Sequence, residues 1–198
     1  MARFLKALLI PCLIVLALNW RVVFTLFSVL LFPHPVVTAK VLTKAETTIP
    51  DNSIAYPRLG IAAPLIISST NPTVVTDWSI IRRDLFHGVS LSDKIPPPGQ
   101  AGTTIIIGHS SDWTPHQYSA IFAPLGEAQV GDKIIVKYHG QEYAYQVSST
   151  KVINPTDMKT IETTLYQAHQ GNQLALVTCW PVFTTAQRLI VFADPVKL

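Results

Sequence analysis

Cysteine is nearly absent from this chain. Its 198 residues hold only Cys12 and Cys179, in very different surroundings. Charge is scarce as well: 14% of residues are charged and the formal net charge is +3. The basic residues are scattered, with no run flanked by aromatics, so the electrostatic footprint of a nucleic-acid binder is missing. No internal repeat is present. The single Pro/Gly concentration, "KIPPPGQAG" at 94–102, is too short for low complexity. The length therefore reads as one domain with a full core plus an appendage.

Apolar residues are abundant, at 48%, partly because of the N-terminus. Residues 8–31 read "LLIPCLIVLALNWRVVFTLFSVLL", long enough for a helix to cross a hydrocarbon core of roughly 30 Å. Asn19 and Arg21 interrupt the run. A central Arg costs about 2.5–3.5 kcal/mol on insertion scales, and each Leu, Ile, Phe or Val returns about 0.3–0.6. The apolar majority outweighs both polar residues if Arg21 snorkels or finds a partner. A cleaved signal peptide is the rival, but no small-x-small site follows the first apolar stretch directly. Arg3 and Lys6 precede the span, so the positive-inside rule predicts a cytoplasmic N-terminus and an extracellular domain. The expected organisation is an anchor over 1–32, a polar, Pro-bearing stem over 33–53 and a single domain over 54–198. Cys12 then lies in lipid, and Cys179 is left as a lone thiol in a compartment where disulfides are usual. It is either a small apolar core residue or a retained nucleophile.

Within the domain, short β-rich runs alternate with turn residues. Strands are expected at 53–59, 63–68, 103–109, 132–139, 141–153, 173–179 and 188–194, with "YHGQEY" as a hairpin. "EYAYQV" alternates, which puts Tyr143, Tyr145 and Val147 on one face. Short helices are expected near 76–84, 118–125 and 156–170. Many short strands with few helices point to a closed or nearly closed barrel.

An acyl-transfer thiol needs a proton partner and a donor for the oxyanion. His34 lies in the stem. His116, His139 and His169 sit in or beside polar loop stretches, where a solvated imidazole is the ordinary reading, and His87 has no strand beneath it. His109 differs, because it follows "TTIIIG" and opens a polar loop, at a strand exit like Cys179. Arg188 opens the last strand only nine residues after Cys179. If those two strands pair in antiparallel fashion, thiol and guanidinium share one rim, and Arg can donate to an oxyanion without titrating.

"LVTC" before a turn, "IIGHS" upstream and "RLIVFA" on the last strand resemble the Cys, His and Arg motifs of the sortases, membrane-anchored cysteine transpeptidases. The likeness runs over about residues 54–198, including "PPGQAGTTIIIGHS" and "IFAPLGEAQVGDKIIV". The family's Thr-Leu-x-Thr-Cys signature is met by Leu176, Thr178 and Cys179, with Ala175 in place of the first Thr. The resemblance implies a mainly β, eight-stranded barrel. It implies Cys179 as nucleophile, His109 as general acid and base, Arg188 as oxyanion or substrate stabiliser, and Leu176 and Thr178 as substrate-binding residues. It also implies a secreted protein with a Leu-Pro-x-Thr-Gly-like C-terminal sorting signal as donor, and an amine of a peptidoglycan stem or pilin Lys as acceptor. No cofactor is expected. No metal is expected either, since Asp112, Glu127, Asp157 and Glu162 are spread along the sequence. The alternatives are a membrane-tethered cysteine peptidase that only hydrolyses, and a non-catalytic envelope-binding β-module.

Overall fold

The computed structural model describes residues 49–68, 78–155 and 171–197. The expected membrane span and the expected helix at 156–170 lie outside these residues. Among the described residues, no helix is long and apolar enough to cross a membrane.

Eight strands carry the architecture: β1 (Ser53–Tyr56), β2 (Ile61–Ser68), β3 (Val89–Ser92), β4 (Gly102–Ile107), β5 (Lys133–Tyr138), β6 (Gln141–Ile153), β7 (Asn172–Trp180) and β8 (Gln187–Val196). They close into a barrel in the order β1-β2-β3-β4-β7-β8-β6-β5, with β5 returning to β1. Two neighbouring pairs, β2–β3 and β4–β7, run parallel and the other six antiparallel. Parallel neighbours need a crossover. The segment between β2 and β3 carries the helix α1 (Trp78–Leu85), matching the helix expected near 76–84.

Seven of the eight strands lie where the sequence predicts them, and β3 is not among the predicted runs. Its four residues, Val-Ser-Leu-Ser, are too short for alternation to register, yet all four are buried between β2 and β4. The helix expected near 118–125 is replaced by turns and a 3-10 segment, Ala123–Glu127, because Pro124 and Gly126 break the apolar run. The β5–β6 hairpin is as expected. His139 and Gly140 both take positive φ (49° and 79°), the two-residue turn whose twist matches its strands.

The barrel interior is filled by large side chains with no exposed surface, among them Tyr56, Phe122, Tyr145, Leu174, Leu176 and Ile190. β-branched residues dominate β4, where stiff side chains pack well on a pleated surface. Of the three residues expected on one face, Tyr145 and Val147 are enclosed in the core and Tyr143 packs at its edge.

Candidate active site

A strand's two faces alternate with period two, and this decides what each residue of "LALVTCW" can touch. Leu174, Leu176 and Thr178 fall on one face; Ala175, Val177 and Cys179 fall on the other. In β7 the first set points into the barrel. Leu176 is fully buried in the core cluster, opposite Ile106 of β4 and Val191 of β8. It therefore cannot contact a substrate, which corrects the role expected for it. Thr178 is 2% exposed and its hydroxyl donates to the Gly108 carbonyl at 2.8 Å. It borders the cavity described below, but its polar atom is committed to holding β7 against the exit of β4.

The outward set builds a floor. Cys179 pairs with Arg188 across β7–β8, and Arg188 pairs with Ile153 across β8–β6. One step away, Val177 lies between Ile107 of β4 and Ile190 of β8. These residues line a cavity of about 780 Å³. Cys179, His109 and Arg188, remote in sequence, all line that cavity. Cys179 is a free, partly exposed thiol. Arg188 is held close to the backbone, its Nη1 donating to the carbonyls of Thr185 and Gln187 at 3.0 Å each.

His109 reaches this cavity from the loop that leaves β4. The loop is anchored on both sides: Gly108 N–H donates to the Val177 carbonyl at 3.1 Å, and Phe122 N–H donates to the His109 carbonyl at 2.8 Å. Gly108 is required by close approach, since a Cβ there would lie 2.4 Å from the Phe122 ring. The imidazole is 16% exposed, with Nε2 at 3.3 Å from Asp112 Oδ2. Burial pushes the His109 pKa below its ordinary value; Asp112 opposes this, and His116 and Arg82 add to it. Asp112 is itself held below the usual carboxylate range, first by the Thr114 N–H bonded to its Oδ1 at 2.8 Å. Beyond it stands Arg82, whose Nη2 is 3.9 Å from Asp112 Oδ1.

Several groups here escaped the sequence reading. His116, read there as a solvated loop residue, stacks on Phe86 with ring centroids 4.4 Å apart. It meets His109 edge-on at 5.8 Å. Asp112, weighed only against other carboxylates, is brought to these two histidines instead. One ligating atom from each of His109, Asp112 and His116 lies within 4.8 Å of the others. The spacing His-x2-Asp-x3-His within one loop was the available signal. Trp113 (89% exposed) and Phe183 (79% exposed) stand on the cavity's rim. Their loops are tied together where Phe183 N–H donates to Ser111 Oγ at 3.0 Å.

The sequence model of the sortase domain matches residues 54–196. Sortase A of Bacillus anthracis is 21% identical over 141 residues, which is 71% of this chain and 57% of that protein, so this chain spans little more than half of that relative. Among solved structures, sortase C-1 of Actinomyces oris superposes with a TM-score of 0.59 at 22% identity, over 74% of this chain and 73% of that one. Sortase A of Corynebacterium diphtheriae superposes with a TM-score of 0.59 at 24% identity, over 76% of this chain and 62% of that one. The structural matches share the fold, and the domain match covers most of the sequence: this chain belongs to the sortase family.

Proposed function

We propose that the chain is a membrane-anchored cysteine transpeptidase, as members of its family are, with Cys179, His109 and Arg188 as its reacting groups. The observation that carries this reading is the shared cavity: a free thiol, an imidazole and a guanidinium from β7, the β4 exit and β8 line one outward-facing recess.

In the reaction, Cys179 gives its thiol proton to His109, and its Sγ attacks the backbone carbonyl of the Thr in a Leu-Pro-x-Thr-Gly-like sorting signal. Arg188 donates to the oxygen that becomes anionic as the carbonyl turns tetrahedral. The Thr–Gly C–N bond breaks, and the leaving amine takes its proton from His109. A thioester now joins the donor protein to Cys179. An acceptor amine, from a peptidoglycan stem or a pilin Lys, attacks that thioester after giving a proton to His109, and the C–S bond breaks to release the thiolate. A thiol suits both halves: it is more nucleophilic than a hydroxyl near neutral pH, and its ester yields readily to an amine. The span at 8–31 would hold the enzyme at the cell membrane, where secreted donors pass.

The test is to incubate the full-length chain with a sorting-signal peptide, with and without an amine acceptor. Ligated product that depends on the acceptor and vanishes in Cys179→Ala supports transfer. Cleavage that ignores the acceptor indicates a hydrolase, and activity surviving Cys179→Ala contradicts the reading.

A further inference from the structure

The loop leaving β4 carries more than one imidazole. His109, Asp112 and His116 each offer a ligating atom, all within 4.8 Å of one another. One edge of the cluster already has the spacing of a metal site. His109 Nε2 and Asp112 Oδ2 are 3.3 Å apart, yet no hydrogen bond joins them, because His109 Nε2 is buried without a partner. Two ligands on one tetrahedral zinc, each about 2.0–2.2 Å from the ion, sit roughly 3.4 Å apart. The second imidazole repeats the pattern, since His116 Nε2 is also buried with no hydrogen-bond partner. Two unsatisfied buried imidazole nitrogens beside one carboxylate are uncommon, because buried polar atoms are normally paired. A cation that accepts lone pairs relieves both.

We infer that His109, Asp112 and His116 form a binding site for a divalent transition-metal ion, zinc above all, whose occupancy reversibly withdraws His109 from acid–base work. Imidazole and carboxylate are suitable donors for zinc, and His109 and Asp112 line the cavity, which gives an ion a route to the cluster. All three come from eight consecutive residues, 109–116, so chelation orders one loop rather than joining distant segments. The Thr114 N–H fixes Asp112 Oδ1 and leaves Oδ2 turned toward His109, an outer-shell contact of the kind that orients metal ligands.

Three features work against the ion. Closing from 4.8 Å to metal-ligand spacing requires movement of roughly 1 Å. His116 Nδ1 accepts from Tyr118 N–H at 3.3 Å, and ligation through either ring nitrogen gives up that long contact. Arg82 stands 3.9 Å from Asp112 Oδ1 and repels a second cation there, though its side chain is 61% exposed, which weakens the repulsion. These features set a modest affinity, which suits a reversible inhibitory site rather than a resident cofactor.

The binding half stands on geometry alone; the inhibitory half rests on the proposed transpeptidase reading. Zinc binding is measured by equilibrium dialysis on full-length Cys179→Ala, so that the thiol cannot capture the metal. The expected result is one equivalent bound, with affinity lowered at least tenfold in Cys179→Ala/His116→Phe, a change that keeps a ring against Phe86 and removes both nitrogens. Cys179→Ala/Asp112→Ala provides the second variant, and circular dichroism verifies that each is folded. No zinc bound by Cys179→Ala, or binding unmoved by both further substitutions, overturns the site. In the otherwise native chain, zinc is expected to suppress peptide transfer reversibly to a chelator. The half-inhibiting concentration should rise at least tenfold in His116→Phe, each variant scored against its own zinc-free rate. Equal inhibition of both overturns the inhibitory role. A chain that binds zinc as expected but transfers no peptide at any metal concentration contradicts the transpeptidase reading and leaves the site supported.

Discussion

Two carboxylates in this barrel have opposite surroundings. Asp132, just before β5, accepts from Tyr56 Oη at 2.5 Å, Arg58 Nε at 2.6 Å and Gln129 N–H at 2.8 Å. Arg58 also donates to the Glu127 carbonyl, so one network joins the end of β1, the turn after it and the approach to β5. Asp112 has one firm hydrogen bond, from Thr114 N–H, and otherwise faces an imidazole that it approaches without bonding. Both carboxylates are largely withdrawn from solvent, 9% and 5% exposed. The difference shows what each region does. A saturated network fixes a backbone, whereas polar groups held close without partners remain available to something that arrives.

That contrast is broken most severely at the thiol. Cys179→Ala should lower transfer by about 10⁴-fold or more, with the fold intact by circular dichroism, because no other group replaces a nucleophile. His109→Ala should cost about 10²–10⁴-fold, the ordinary worth of a positioned acid and base. Arg188→Ala should cost about 10²–10³-fold in kcat if its role is at the oxyanion; a pure rise in KM would instead make it a ground-state contact. At the saturated end the readout changes from rate to stability. Asp132→Ala should destabilise by about 1–3 kcal/mol in denaturant titrations, since it leaves Tyr56 Oη without its partner and Arg58 with only the Glu127 carbonyl, and leave the rate per folded molecule nearly unchanged.

Acid sharpens the same comparison. Burial tends to raise the Asp132 pKa, but Arg58, Tyr56 and the Gln129 N–H outweigh it and hold it at about 2. An unfolded Asp titrates near 3.9, so the ionised network contributes fully above about pH 4. That contribution fades as pH falls toward about 2. Stability measured between those limits should drop in the native chain and drop less in Asp132→Ala. The smallest effect is expected at the rim. Trp113→Ala should raise KM for the peptide with kcat unchanged, because an exposed aromatic beside the cavity adds binding rather than chemistry.

Much of this was legible in the sequence, for particular reasons. Seven strands announce themselves as short apolar or alternating stretches set between turn residues. Cys179 and Arg188 could be placed at one rim because the short connection between β7 and β8 forces antiparallel neighbours. The four-residue β3 carries too little pattern to be seen. Leu176 joins the site by motif adjacency alone, and the strand's alternation turns it into the core. The partnership of Asp112 and His116 with His109 was hidden differently. It depends on how a polar loop folds back across Phe86 and Phe122, which no periodicity encodes.

The central claim is that Cys179 takes up an acyl group within the cavity it shares with His109 and Arg188. It is tested most directly by intact-protein mass spectrometry after exposure to a sorting-signal peptide without acceptor. The account predicts a covalent adduct with the mass of the peptide's N-terminal portion, localised to Cys179 and discharged by an added amine. An unmodified Cys179 in a chain that still turns over the peptide would contradict it.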